Sequence, residues 1–422
     1  MQLTVVESLE EVPAEHWDAL QGASSYSSGR SFSTGHPFIR HAFLRLLETS
    51  HSVGLGPARK HSGWHPLHLL LHNDDDKLIG ACPCYLKEHS YGEYIFDWAW
   101  ANAVERTGQR YYPKLVVGIP FTPATGPRLL VHPDEDPAET QHLLAEGLRA
   151  LAEQVGAGSI HILFCLDDEL SIFEKAGFFR RATHQFHWRN QRPHYESFDA
   201  FLGCLRSQNR KQIRKERRQA VESDFNLKIE LVRQGALNQA DFTRLFELYS
   251  STCGRKWGEA YLTKSFFDGL ADEGGKDALF GLAKSEEGEI VAMALSFTQQ
   301  DQVYGRYWGT SIDQEQLHFE LCYYQLLDYA VKNNCVLVEA GAQGEHKVKR
   351  GFLPVVTHSA HYFVTPQLHQ AIGNAVKVEC DEVERQIISG ETRGPFKDGC
   401  VPPHEFRAGQ EVRCDTSPDD KP

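Results

Sequence analysis

The sequence predicts an α/β chain made of two tandem copies of one unit, and three observations carry this reading. Hairpin, strand, long helix, buried strand and short helix occur twice in the same order. Each series closes on a Gly-Phe pair, Gly177-Phe178 and then Gly351-Phe352. The 422 residues are 41% hydrophobic and 24% charged, which supplies apolar material for two or three cores and excludes a wholly disordered chain.

In the first half, alternation predicts a strand over 3–9, and helices are predicted near Pro13 and from Pro37 to about Leu47, where Phe38, His41, Phe43, Leu44 and Leu47 recur at helical spacing. The Ser/Gly-rich stretch Gly22–Gly35 reads as a connecting loop. Strands over 66–72 and 78–85 flank the turn at Asn73-Asp-Asp-Asp76 and make the hairpin. An aromatic, loop-rich stretch, 89–100, comes next. It is followed by a helix from about Asp136 to Val155, a strand over 160–166 and a short helix ending at Phe173-Glu-Lys-Ala-Gly-Phe178. The first copy carries roughly 40 extra residues between its hairpin and its Gly-Phe pair.

The second half opens with one long basic helix over about 198–222. A strand over 227–232 and a helix over 239–252 precede the hairpin, whose strands 278–284 and 290–298 turn at Ser285-Glu-Glu-Gly288. A strand over 302–308, a helix from about Leu317 to Lys332 and a buried strand over 336–340 lead into a glycine-punctuated loop. Residues 1–192 and 193–385 are the expected domains. From about Gln386 the chain is rich in Gly, Pro, Asp and Glu and reads as a mobile tail over 386–422.

Composition removes several function classes. A net charge of −13 repels DNA and anionic membranes on average, so a polyanion would need a local basic surface. No apolar run reaches membrane-spanning length, and the N-terminus lacks signal-peptide features, so a cytoplasmic location is expected. Ten cysteines match no disulfide framework or zinc spacing, and the 21 histidines form no His-Glu-x-x-His pattern, so no metal is expected. The chain also lacks a Gly-x-Ser-x-Gly elbow and a phosphate-binding P-loop.

Two local patterns point to a family. Phe173-Glu-Lys-Ala-Gly-Phe178 resembles the end of the fourth helix in GNAT acyltransferases, and Asn209-Arg-Lys-Gln-Ile-Arg-Lys-Glu-Arg-Arg218 resembles the helix opening the second domain of Fem-type peptidoglycan transferases. Longer motifs are His89-Ser-Tyr-Gly-Glu-Tyr-Ile-Phe-Asp97, Tyr112-Pro-Lys-Leu115, Pro120-Phe-Thr-Pro123, Tyr304-Gly-Arg-Tyr-Trp-Gly309, Leu317-His-Phe-Glu320 and Glu339-Ala-Gly-Ala-Gln-Gly-Glu-His-Lys347. Together they resemble the FemAB-like family of N-acyltransferases over roughly residues 8–380. The resemblance implies two tandem GNAT-like domains, each a mixed twisted sheet flanked by helices. It also implies transfer of an acyl or aminoacyl group from acyl-CoA or aminoacyl-tRNA to an amine acceptor such as a cell-wall precursor, with tRNA as a possible partner.

In a GNAT fold two parallel strands part, and the gap takes the donor's acyl arm. The turn after the first of them takes a pyrophosphate on free backbone N–H groups. That turn falls here at Arg306-Tyr-Trp-Gly309-Thr-Ser311, so Arg306 and Gly309 are candidate donor contacts. Serine replaces the expected last small residue, and the next helix begins several residues late. The alternative is an ordinary strand end.

The loop Gly341-Ala-Gln-Gly-Glu-His-Lys-Val-Lys-Arg-Gly351 leaves the second strand of the pair. Its glycines let backbone approach a ligand, so Gly341, Gln343 and Gly344 are candidate donor contacts. Glu345 and His346 are candidate bases. Lys347, Lys349 and Arg350 are candidate anion holders, and the resemblance places an active-site lysine at Lys347 or Lys349. Charges on a solvated helix turn are the plain alternative.

Arg206, Arg210, Arg214 and Arg218 recur every four residues and share a helix face. Like charges at that spacing need something negative opposite, so Arg210 and Arg214 meet either a ligand phosphate or an acidic part of the chain itself. His89, Glu93, His318 and Glu320 are expected at the acceptor cleft. Leu317, Leu321, Tyr324 and Leu327 form an apolar stripe that reads as core. The competing function is a non-catalytic module that recognises an anionic glycan or peptide precursor, because no tyrosine acid is evident in the sequence.

Overall fold

The computed structural model describes residues 1–21, 35–54, 62–191, 193–222, 225–256, 260–342, 344–391 and 394–402. The Gly22–Gly35 loop assignment falls, except at Gly35, outside the described residues, as do Gln343 and the end of the chain beyond 402.

Two sheets organise the molecule. The smaller orders β1 (Gln2–Val6), β3 (His68–His72), β4 (Leu78–Cys82) and β7 (Leu130–Val131). The helix Pro137–Val155 lies on it. Asp136 caps that helix by accepting from Ala138 and Glu139 N–H groups, Pro137 fills the first turn, and Gly156 ends it at φ +67°. Gly147 lets the helix close on the sheet, since a Cβ there would stand 2.9 Å from Leu3 and 3.0 Å from Leu69.

The larger sheet has eleven strands. One side carries β10 (Lys228–Val232), β11 (Ala278–Lys284), β12 (Ile290–Gln299), β13 (Gln302–Thr310) and β14 (Leu337–Glu339). The other carries β8 (Ser159–Cys165), β6 (Lys114–Val117), β5 (Cys84–Lys87) and β2 (Trp64–Pro66). Between them lie β9 (Phe179–Arg189) and β15 (Leu353–Phe363), and these two strands are exchanged. The first half's β9 pairs with β14 of the second half, and the second half's β15 pairs with β8 of the first.

The centre of the β9–β15 ladder is a local two-fold. Thr183 faces Thr357, which lies as far along the chain from it as Gly351 does from Gly177. Their hydroxyls share a 2.9 Å hydrogen bond. The exchange joins the repeats into one continuous sheet.

Three elements differ from the sequence reading. The basic helix is broken, with Phe198–Cys204 and Ser207–Val221 helical and Leu205 extended between them. Phe396 bridges Leu205, and the Pro395 carbonyl takes the Arg206 N–H at 2.8 Å, so a distant segment competes with helical pairing. For the same reason the region after 386 is ordered at its start. The last helix runs Pro366–Glu391, and Phe396 is buried against Phe201. Within the aromatic stretch, Trp98–Arg106 is a helix that buries Trp100 and Val104.

Candidate functional site

Each repeat contains a pair of parallel strands that part after three residues. In the first, β6 and β8 pair at Leu115–Ile160, Val116–His161 and Val117–Ile162. The opening beyond is filled by the chain itself, for residues 118–130 are all buried. The Gly126 N–H reaches the Phe164 carbonyl at 3.1 Å, and Arg128 Nε reaches the Leu163 carbonyl at 2.8 Å. Glu169 pins the segment by accepting from the Arg128 and Leu129 N–H groups, each at 2.7 Å.

In the second repeat β13 and β14 pair at Gln302–Leu337, Val303–Val338 and Tyr304–Glu339. Beyond Tyr304, β13 continues to Thr310 on β12 alone. The loop leaving β14 folds into a short 3-10 turn, Glu345–Arg350. Two of its glycines are required by the backbone. Gly341 sits at φ +79°, and Gly344, at φ +120°, lies under the His346 ring, where a Cβ would be 2.5 Å from Cε1.

Lys347 is the most unusual group here. It is 1% exposed, and its Nζ donates to the Gly341 carbonyl at 2.9 Å. Burial, aided by the nearby Arg306 cation, lowers its pKa to about 8. His346 places Nε2 3.0 Å from the Tyr323 hydroxyl and packs on Phe319 and Tyr323. Partial burial and the Arg350 and Lys347 cations lower the His346 pKa, while burial raises that of Tyr323. A neutral imidazole beside a protonated phenol is a pair that can accept and hand on one proton near pH 7. Glu345 and Lys349 are exposed at the same turn.

Arg350 is turned inward, which corrects its assignment as a donor contact. Nη2 reaches Glu216 Oε1 at 2.7 Å, Nε reaches Glu216 Oε2 at 3.1 Å and the Tyr324 hydroxyl at 2.9 Å, and Nη1 reaches the His346 carbonyl at 2.7 Å. The guanidinium therefore fixes the loop against the basic helix, and its plane covers the Phe319 ring at 3.6 Å. Tyr324, expected as apolar core, uses its hydroxyl on Glu216 as well.

The basic helix meets acidic parts of the chain. Arg214 pairs with Asp199 at 2.8 Å, and Arg217 grips Glu320 through contacts of 2.9 to 3.2 Å. Glu320 is 2% exposed and so does not face an acceptor cleft. Arg210 is half-buried on the same helix.

Arg306 and Gly309 are engaged elsewhere. Arg306 Nη2 donates to the Phe121 carbonyl of the first repeat at 2.8 Å, and Tyr307 donates to the same oxygen at 3.2 Å. A Cβ at Gly309 would stand 2.4 Å from the Leu248 carbonyl carbon, so that glycine admits the helix Gln239–Lys256. Beyond it, the late helix start leaves a cavity of about 370 Å³ between Trp308 and Phe319, with His318 on its wall. His318 also packs on Tyr323, which ties this cavity to His346.

His89 and Glu93 are remote from these groups, in the first repeat. His89 caps the Tyr91 N–H at 3.2 Å. Glu93 is 3% exposed and is held by Lys114 at 2.8 Å, together with Asp97 and Ser90. Burial raises the Glu93 pKa to about 7 despite that lysine.

Tyr323 and Glu216 are the residues that sequence reasoning missed. The spacing of Tyr323 from the Leu317 stripe, and the lone acid among seven cations at Glu216, were the available signals.

Two tandem units of this topology, each with parallel strands that part, define a tandem GNAT fold. The chain belongs to the FemAB-like family, described as peptidoglycan biosynthesis/recognition, which it matches over residues 8–398. Similar solved structures include FemX, with 13% identity, a TM-score of 0.48 and coverage of 88% of this chain and 100% of that one. L-PGS from Bacillus licheniformis has 11% identity, a TM-score of 0.44 and coverage of 78% and 95%. A tandem GNAT protein of the clavulanic acid biosynthesis pathway has 11% identity, a TM-score of 0.44 and coverage of 86% and 99%. No curated protein is similar to the chain in sequence. Among the described residues, no helix is long and apolar enough to cross a membrane, and no group of three or more His, Cys, Asp or Glu could hold a metal ion.

Proposed function

We propose that the chain is an N-acyltransferase whose second repeat moves an acyl or aminoacyl group from an activated donor to an amine, with a peptidoglycan precursor as the acceptor class that the family description favours. The observation that carries this reading is the buried Lys347 at the mouth of the parting strands β13 and β14, while the equivalent opening in the first repeat is filled.

The chemistry follows from charge. An amine attacks the donor carbonyl, the carbonyl oxygen gains negative charge, and the amine loses a proton. Lys347, as an ammonium in a site that excludes water, opposes the developing oxyanion. His346, backed by Tyr323, takes the proton. As the adduct collapses, the bond from the carbonyl carbon to the donor's thiol sulfur or ribose oxygen breaks, and the Tyr323 phenol protonates that leaving group and regains its proton through His346. Glu345 and Lys349, exposed on the same turn, are positioned to meet the incoming donor.

The donor is acyl-CoA or aminoacyl-tRNA. The exposed cations of the basic helix, Lys211, Arg214, Lys215 and Arg218, support the second, whose binding weakens steeply with salt. The test supplies labelled acetyl-CoA or charged tRNA with a panel of amines to wild-type chain and to Lys347→Met. Transfer by wild type that falls at least about a hundredfold in the variant, a loss of roughly 2.7 kcal/mol of transition-state stabilisation, supports the proposal. Equal rates in the two chains would reject Lys347 as the catalytic cation, and binding of a muropeptide with no transfer from either donor would establish the recognition module instead.

A further inference from the structure

The cavity beyond Gly309 occupies the place where a GNAT fold cradles a pyrophosphate, yet its walls have the wrong charge for an anion. Of the side chains that line it, Asp313 and Glu315 carry negative charge and none is a lysine or arginine. Trp308 and His318 meet edge to face at 5.3 Å, and Phe319, whose ring carries the Arg350 guanidinium at 3.6 Å, also lines the cavity. Gln316 lines the same space, and its Oε1 is buried without a hydrogen-bond donor. Aromatic rings, two carboxylates and an acceptor lacking a donor are complementary to a cation that carries N–H bonds. A volume of about 370 Å³ suits a small organic ion.

We infer that this cavity is a binding site for an organic ammonium group. The inference deepens the transferase reading and rests on it for the ligand's part in the reaction. Two sources share the chemistry, the amine acceptor in its protonated form and the α-ammonium of an aminoacyl donor. Phe319 lines the cavity and packs on His346, so a group held here is separated from the proposed base by one ring. The carboxylates fix the ammonium by charge, and the rings exclude water around its carbon chain.

The test is calorimetric titration of the full chain at pH 7 with n-butylammonium, alaninamide, n-pentanol and coenzyme A. The ammonium probes bind and the neutral alcohol does not. The Asp313→Asn, Glu315→Gln double variant weakens ammonium binding by at least about tenfold, and Trp308→Leu weakens it by about threefold. Asp313 and Glu315 are exposed, so an unchanged melting temperature in the double variant verifies that it is folded. Tighter binding of n-butylammonium assigns the acceptor, and tighter binding of alaninamide assigns the aminoacyl donor. Failure of both ammonium probes, binding unchanged in the variants, or coenzyme A as the tightest ligand with loss in the same variants would overturn the inference. Binding is read without turnover, so the two ideas fail separately. A chain that transfers acyl groups yet ignores ammonium refutes this site alone, and one that binds ammonium yet transfers nothing refutes the transferase reading alone.

Discussion

The two repeats answer the same structural problem, an opening between parting strands, in opposite ways. In the first, segment 118–130 occupies the opening, and Arg128 and Glu169 satisfy the stranded backbone groups. In the second the strands stay apart, and Glu216 and Arg350 hold the loop from outside. One pair of equivalent positions condenses the contrast. Phe173 stands four residues before Gly177, and Lys347 stands four residues before Gly351. Both are buried, but Phe173 packs on Phe178 at 5.5 Å, whereas Lys347 puts an amine against a carbonyl. A phenylalanine there stabilises the fold. A lysine there weakens it, and that cost at a strand opening is the ground for proposing the second opening as the working one.

The contrast breaks most severely at the ion pair that holds the second loop. Glu216→Ala leaves the Arg350 guanidinium buried without its carboxylate, a loss of roughly 3–5 kcal/mol that urea denaturation will show as a lower midpoint at unchanged slope. A loss below about 1 kcal/mol would mean that the loop is held by other contacts.

Making the repeats alike is the next step. Lys347→Phe copies the first repeat into the second and removes a buried amine, so stability at pH 7 rises by on the order of 2–3 kcal/mol while transfer is lost. The sign of the pH dependence follows from the same group. Its folded pKa of about 8 lies below the ordinary lysine value of 10.5, so between those two values the unfolded chain holds a proton that the folded chain has released. Wild-type stability relative to Lys347→Phe therefore rises from about pH 8 towards 10.5 and is flat below pH 7. Parallel stability–pH curves for the two chains would show that Lys347 carries no such shift. Transfer by wild type falls over the upper part of this range, because the proposed catalytic form is the cation.

The smallest effect concerns what the repeats share. The Thr183–Thr357 hydrogen bond lies on the local two-fold, and the double replacement by valine costs about 1 kcal/mol, with a coupling between the single variants that a double-mutant cycle measures. A zero coupling would show that the exchanged strands are held by the ladder alone.

Local signals in the chain were enough to read its plan. The buried strands, the helix Pro137–Val155 and the paired Gly-Phe turns each follow from short-range pattern and capping chemistry. What stayed hidden depended on partners far away in sequence. The exchange of β9 and β15 leaves no local trace, since each strand finds its partner in the other half of the chain. Leu205 interrupts a good helical sequence because Phe396 arrives from the other end of the chain. At the site, the glycines and cations of loop 341–351 were legible from composition, but not that Arg350 turns in to Glu216 while Lys347 is buried against the Gly341 carbonyl. Nor could spacing show that the Phe121 carbonyl captures Arg306 across the repeats. Of the arginine face, Arg214 pairs with Asp199 and Arg218 with Glu222 of the same chain, while the neighbouring Arg217 takes Glu320.

Hydrogen–deuterium exchange of the wild-type chain, with and without a non-transferable donor analogue, tests the central contrast most directly. Donor protection concentrated in peptides covering 302–308 and 340–352, with 118–130 unchanged, is the result expected of an open second repeat and a filled first one. Protection centred on 118–130 and 162–170, with the Lys347 turn unaffected, would place the working opening in the other half of the molecule.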